Sequence, residues 1–159
     1  MEVLKPKYTK EVIKGRQTAK NIALQIRRAI AESMPAADYI SSKFRGKTAF
    51  ITCFNVYNYC RNNITYKKEG ENLQTARTLP RILKDKNGDC KHFTTICCSI
   101  LKSLGIKTQM RLISQNFYNT EPTHIYCVAY INGEEIIVDP CIKNFNSEAQ
   151  YKYKYNLSL

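Results

Sequence analysis

Apolar residues recur at helical spacing in three stretches of the chain and cluster as short strands in three later ones. Between Gln17 and Met34, Ala19, Ile22, Ala23, Ile26 and Ile30 make one face, and Lys20, Arg27 and Arg28 take the other. Pro35 marks the expected end of that helix. Between Thr48 and Asn62, Phe50, Cys53, Phe54, Tyr57 and Cys60 share a side. The third pattern is the most regular: Phe93, Ile96, Cys97, Ile100, Leu101 and Leu104 form an unbroken stripe. Asp89 suits its N-cap and Gly105 its C-terminal stop, so this helix should run from about Cys90 to Leu104. The short segment Ile64-Thr65-Tyr66 precedes a polar loop through Asn72. Ile106–Ser114, Thr123–Ile131 and Glu134–Asp139 read as strands, and Asn132-Gly133 reads as the tight turn of a hairpin. Residues 1–16 read as a basic extended arm, and the polar, Tyr-rich tail from Lys143 to Leu159 offers no clear element. The outcome is a single α+β domain: a basic arm and helix (1–47), a core (48–142) and a tail (143–159).

A chain of 159 residues buries roughly 70% of its unfolded surface and needs no covalent staples. No apolar run approaches a membrane span, and the first residues lack the apolar stretch of a secretory signal, so a cytoplasm is the expected compartment. The odd count of seven cysteines then implies reduced thiols. The adjacent Cys97 and Cys98 read as small buried hydrophobes. The formal net charge of +12 favours loose, non-specific association with anionic partners, but no nucleic-acid motif accompanies it. Abundant Lys, Asn, Ile and Tyr are in keeping with an AT-rich genome, as of a bacterium or its phage.

Cys90 opens the third helix, where unpaired backbone N–H groups and the positive end of the helix dipole favour a thiolate. Three residues before Phe93 and seven before Cys97, it points to the side the helix buries, whereas His92 lies about 200° around the helix and should point away. A two-residue turn at Asn132-Gly133 pairs Ile131 with Glu134, and therefore Tyr126 with Asp139. His124 then lies on the same face as Asp139, a diagonal neighbour about 7–8 Å away at Cα. A carboxylate so placed orients an imidazole and stabilises its cation, which is the base half of a nucleophilic site. Each residue alone also has a plainer role, as a buried thiol, a strand-end histidine and a turn aspartate. The agreement of three roles, in a chain with only two histidines, favours the site. A metal reading also stands open. Cys90, His124, Asp139 and Cys141 could converge if the hairpin ladder continued past Pro140, although nucleophilic chemistry at Cys90 requires no metal or other cofactor.

Asn87-Gly88-Asp89-Cys90 opens a helix that ends near Gly105-Ile106; Thr123-His124-Ile125 opens one strand and Ile137-Val138-Asp139-Pro140 ends another. This order of short motifs is similar to that of the transglutaminase-like superfamily, in the form found in small bacterial and phage proteins. Tyr59 to Tyr66 resembles the family's preceding helix end and Tyr-containing strand, and Arg77-Thr78-Leu79-Pro80 its connecting segment, so the likeness covers about residues 48–142. The resemblance implies a papain-related α+β core with Cys90 as nucleophile, His124 as base and acid, and Asp139 as orienter. It also implies an oxyanion hole that includes the Cys90 N–H, with Gln74 as candidate for the second donor. Tyr66 and Tyr126 are candidates for the aromatic wall of the cleft, or else for core packing. The expected activity is acyl transfer on peptide-like amides of a peptide or protein substrate, as a cysteine peptidase or amidase. The alternative is a catalytically inactive module of the same fold that serves as a basic binding or virion-assembly protein.

Overall fold

The structure is a computed structural model that describes residues 7–14 and 18–159. In chain order its elements are β1 (Lys10–Lys14), α1 (Ala19–Ile40), a single 3-10 turn (Ser41–Phe44), α2 (Ala49–Asn63), β2 (Thr65–Tyr66) and β3 (Leu73–Arg77). They continue with α3 (Leu79–Asp85), β4 (Asn87–Gly88), α4 (Cys90–Ser103), β5 (Lys107–Ser114), β6 (His124–Ile131), β7 (Glu134–Val138) and β8 (Tyr153–Ser158). Of the expected basic arm, residues 1–6, 15 and 16 lie outside the described residues, and Lys10–Lys14 form a strand.

Helix α4 is the centre of the fold. The helices α1, α2 and α3 contact it, and so do strands β5 and β6. The stripe described one apolar face, yet every residue from Lys91 to Leu101 is buried. Full burial of Ile96, Ile100 and Leu101 contributes about 1.5–3 kcal/mol each. Cys97 and Cys98 lie in this core as thiols.

Helix α1 starts at Thr18, whose Oγ1 accepts from the Asn21 N–H at 3.2 Å. It runs through Pro35 instead of ending before it. Pro35 and Ala31, whose carbonyl loses its helical partner there, are both exposed. The buried Ala37 keeps the helix on the core beyond Pro35. Helix α2 buries Thr52, Cys53, Val56, Tyr57 and Cys60. Phe50 and Phe54, expected on that side, lie instead on its exposed rim and meet Phe145 edge-on at centroid separations of 5.3 and 5.4 Å.

The main sheet has the order β7-β6-β5-β8 and is antiparallel throughout. Its hairpin register is the expected one, with Ile131 opposite Glu134 and Cys127 opposite Val138. Asn132 and Gly133 both take positive φ, 51° and 81°, as a tight primed turn requires. The unassigned tail supplies β8, which pairs with β5 so that Met110 faces Leu157. The part of the segment between β7 and β8 that carries Glu148 and Ala149 lies against the outer face of the sheet. There Arg111 is fully buried and donates to Glu135, Glu148 and the Asn156 side-chain oxygen. Tyr126 belongs to this outer layer and donates its hydroxyl hydrogen to Glu148, so it packs in the interior and walls no cleft. A second ribbon pairs β1 with β3, and a two-residue parallel ladder pairs β2 with β4. Among the described residues no helix is long and apolar enough to cross a membrane.

Candidate active site

The site forms where the first turn of α4 meets the start of β6. Asp89 caps α4: its Oδ1 accepts from the Lys91 N–H at 3.2 Å, and its carbonyl accepts from the His92 and Phe93 amides. Among the described residues, that leaves the Cys90 N–H as the one first-turn amide with no protein partner. The Thr94 hydroxyl ties this turn to the sheet, lying 2.8 Å from the Cys90 carbonyl and 3.3 Å from the Ile125 carbonyl. Cys90, half-buried, is thereby held beside His124, the first residue of β6.

His124 Nε2 lies 2.7 Å from Asp139 Oδ2, the diagonal contact that the hairpin register demands. Asp139 is only 3% exposed, and its Oδ1 is occupied by the Cys141 N–H at 3.1 Å. The second polar neighbour of the imidazole is the Cys90 side chain. Burial alone would lower the His124 pKa. The hydrogen bond and charge of Asp139, with the Cys90 side chain, overturn that and raise it to about 10. The imidazolium is thus the resting form at neutral pH.

This has a consequence for stability. The folded-state pKa stands above the ordinary 6.5, so the ion pair stabilises the fold fully below about pH 6.5 and loses its contribution as pH climbs to about 10. Urea unfolding of wild type and Asp139→Ala at pH 6 and pH 10.5 should give a larger stability difference at pH 6. An equal difference at both pH values would rule out the ion pair.

An open cleft of about 250 Å³ carries Cys90 and His124 on its lining, together with Gln74, Tyr66, Leu112 and Ile125. The N-terminal turn of α1 enters the same cleft through Ala19 and Ile22. Tyr66 is 54% exposed, placed there by the β2–β4 ladder that sets it beside Gly88. A second groove of about 370 Å³ lies on the other side of Tyr66 and is lined by Arg61, Phe93, Pro140 and Cys141.

Beneath the cleft lies a buried ionic layer that the sequence pattern did not reveal. His92 does turn away from Cys90, but it is fully buried rather than solvent-facing. Its Nδ1 accepts from the Asp89 N–H at 3.0 Å, and its Nε2 meets the Thr75 carbonyl at 3.0 Å, which together select the neutral ring with hydrogen on Nε2. Gly88 is required here, because a Cβ at that position would come within 2.5 Å of the His92 Cβ. Lys91 bridges Asp89 and Glu69, and Glu69 also receives the Thr75 N–H. The carboxyl of Asp89, which burial alone would push up, is held well below the usual range, with the Lys91 ammonium donating to its Oδ2. The sequence signals for this layer were the Asp89-x-x-His92 capping spacing and the Gly that precedes it.

The profile of the transglutaminase-like superfamily matches residues 39–140. No curated protein matches the chain. Among solved structures, a candidate protease from Parabacteroides distasonis superposes with a TM-score of 0.61 at 10% identity, over 77% of this chain and 26% of the other. A candidate cysteine protease from Cytophaga hutchinsonii superposes with a TM-score of 0.50 at 16% identity, over 80% of this chain and 39% of the other. The chain therefore spans well under half the length of either neighbour, and the likeness is one of fold. With a mixed α+β architecture, a Cys-led central helix on an antiparallel sheet and 102 consecutive residues under the family profile, this chain belongs to the transglutaminase-like superfamily.

Proposed function

We propose that this chain is a cysteine-nucleophile acyl-transfer enzyme that hydrolyses peptide-like amides. The observation that carries the reading is the imidazole of His124, bonded at 2.7 Å to a buried carboxylate on one nitrogen and facing Cys90 with the rest of the ring. In the first step the Cys90 thiolate attacks the amide carbonyl and a C–S bond forms. The oxyanion accepts from the free Cys90 N–H, with Gln74 in the same cleft as the second donor. The His124 imidazolium then passes its proton to the amine as the C–N bond breaks. Water attacks the thioester, His124 takes a proton from it, and the carboxylic product leaves as the thiolate is restored. Asp139 keeps the ring oriented throughout. Hydrolysis is favoured over transfer to a second amine by the protease descriptions of the two fold neighbours.

The test is the rate of iodoacetamide alkylation at Cys90 against pH, followed by mass spectrometry, in wild type and His124→Ala. Cys90 should react at pH 6 well ahead of an ordinary thiol, which needs a pH near 8.5, and the substitution should slow it at least about ten-fold. Sluggish labelling at pH 6 that ignores His124 would leave the inactive basic module as the better account.

A further inference from the structure

Cys141 has no part in that mechanism, yet it sits against two of its three residues. A ring nitrogen of His124, a carboxylate oxygen of Asp139 and Cys141 Sγ all lie within 4.8 Å of one another. Cys141 opens on the second groove with Pro140 and Phe93, whereas Cys90 lies in the cleft on the other side of Tyr66. We propose that His124, Asp139 and Cys141 form a binding site for a divalent transition metal of the zinc type, entered from the second groove and independent of Cys90.

The donor set fits such an ion. One imidazole, one carboxylate and one thiolate are the borderline-soft mixture that zinc prefers, and their summed charge of −2 when bound matches the cation. Tetrahedral coordination at about 2.0–2.3 Å needs donors roughly 3.3–3.8 Å apart, so His124 Nε2 and Asp139 Oδ2, now 2.7 Å apart, must separate to admit the ion, with Cys141 Sγ already within 4.8 Å of both. The fourth position stays open to the groove.

The backbone around these donors is already fixed. The Cys141 N–H holds Asp139 Oδ1, which leaves Oδ2 for the metal. The Ile142 N–H donates to the Asp139 carbonyl at 3.0 Å, and Arg61 Nη1 donates to the Pro140 carbonyl at 3.1 Å. The Tyr57 hydroxyl lies between the Ile142 and Lys143 carbonyls at 2.5 and 2.6 Å. Second-sphere contacts of this kind hold ligands in place before the ion arrives.

Binding requires that the His124 Nε2 and Cys141 Sγ protons leave to solvent and that the metal replace the His124–Asp139 hydrogen bond. If Cys90 is the nucleophile proposed above, an ion on Nε2 takes the place of the Nε2 proton and breaks the Asp139 contact that orients the ring, so His124 is no longer the imidazolium acid that expels the amine, and the metal acts as an inhibitor entering from behind the imidazole. The remaining cysteines, Cys53, Cys60, Cys97, Cys98 and Cys127, are buried in the core and offer no comparable site.

Cobalt(II) is the probe, titrated into the reduced full-length chain under argon. Thiolate-to-cobalt charge-transfer absorption should grow to one equivalent in wild type and in Cys90→Ser. In Cys141→Ser the band should vanish and binding should weaken at least about ten-fold, with thermal unfolding of each variant checking that it is folded. The Cys90→Ser arm separates this site from the enzyme reading, since it removes the nucleophile and leaves the metal ligands intact. No charge-transfer band in wild type at millimolar cobalt would overturn the site. So would a band that survives Cys141→Ser but disappears in Cys90→Ser, which would assign the metal to the Cys90–His124 pair.

Discussion

Asp139→Ala is expected to slow amide acylation of Cys90 at pH 8 by about 10²-fold or more, with the loss shrinking as pH falls towards 6. The two parts of this effect have separate origins. Without the carboxylate, the His124 pKa should fall from about 10 towards the ordinary 6.5. At pH 8 a histidine with that ordinary value is only about 3% protonated, so the acid that expels the amine becomes roughly thirty-fold scarcer. Loss of the 2.7 Å contact frees the ring to rotate, and misorientation supplies the remainder. Below pH 6.5 the imidazolium returns and only the misorientation persists. Release of nitroaniline from a pool of peptide p-nitroanilides reports the rate. An NMR titration of His124 reports the cause without any substrate. If His124 still titrated near pH 10 in the variant, Asp139 would not be what holds its proton.

The His124–Asp139 contact was readable in the sequence because a two-residue turn fixes a ladder. Once Asn132-Gly133 is a primed hairpin, strand period two puts His124 and Asp139 on one face, and the observed register agrees at every pair from Ile131–Glu134 to Cys127–Val138. Helix α4 was equally legible, since Asp89, the apolar stripe and Gly105 mark its start, face and end. What periodicity could not supply was environment. A stripe reports one buried face and cannot foretell that neighbours will cover the opposite one, as Thr75 and Arg77 of β3 do around His92 and Glu69 does around Lys91. Strands β1 and β3 escaped because their sequences, Lys-Glu-Val-Ile-Lys and Leu-Gln-Thr-Ala-Arg, are mostly polar and pair only with each other. Helix α3, at seven residues, is too short to show a repeat. Strand β8 did leave a trace in the alternation of Tyr153, Tyr155 and Leu157, but its Lys and Asn partners masked an edge strand that is only half-buried. Tyr126 takes the second of its two readings, core packing with its hydroxyl on Glu148. An aromatic two residues after His124 looks like a cleft wall until the sheet's outer face proves to be covered by the C-terminal segment.

Arg77→Met should destabilise the fold by about 3–5 kcal/mol, the usual cost of removing one partner from a buried ionic cluster. The guanidinium is 4% exposed and reaches Asp85 at 2.9 Å, the Asn87 carbonyl at 3.0 Å, His92 Nδ1 at 3.3 Å and Glu69 at 3.5 Å. Methionine fills a similar volume, so little of the loss comes from a cavity. The cost arises because Glu69 keeps only Lys91 as a charged partner and Asp85 only Arg81. Among the described residues Arg77 Nε has no protein partner, which places the expected loss towards the lower part of that range. The cluster sits under the Asp89–His92 cap, and Glu69 ties the loop that carries Lys68 and Glu71 to the cleft. Loosening it should therefore also disturb Cys90. Arg111→Met provides the comparison, since Arg111 is as deeply buried in an ionic cluster but lies on the far face of the sheet. Both variants should show lowered urea midpoints, whereas only Arg77→Met should slow alkylation of Cys90 under conditions in which each protein is still folded. Equal slowing in both would mean that Cys90 reactivity follows global stability, and the layer beneath the cleft would then have no special hold on the nucleophile.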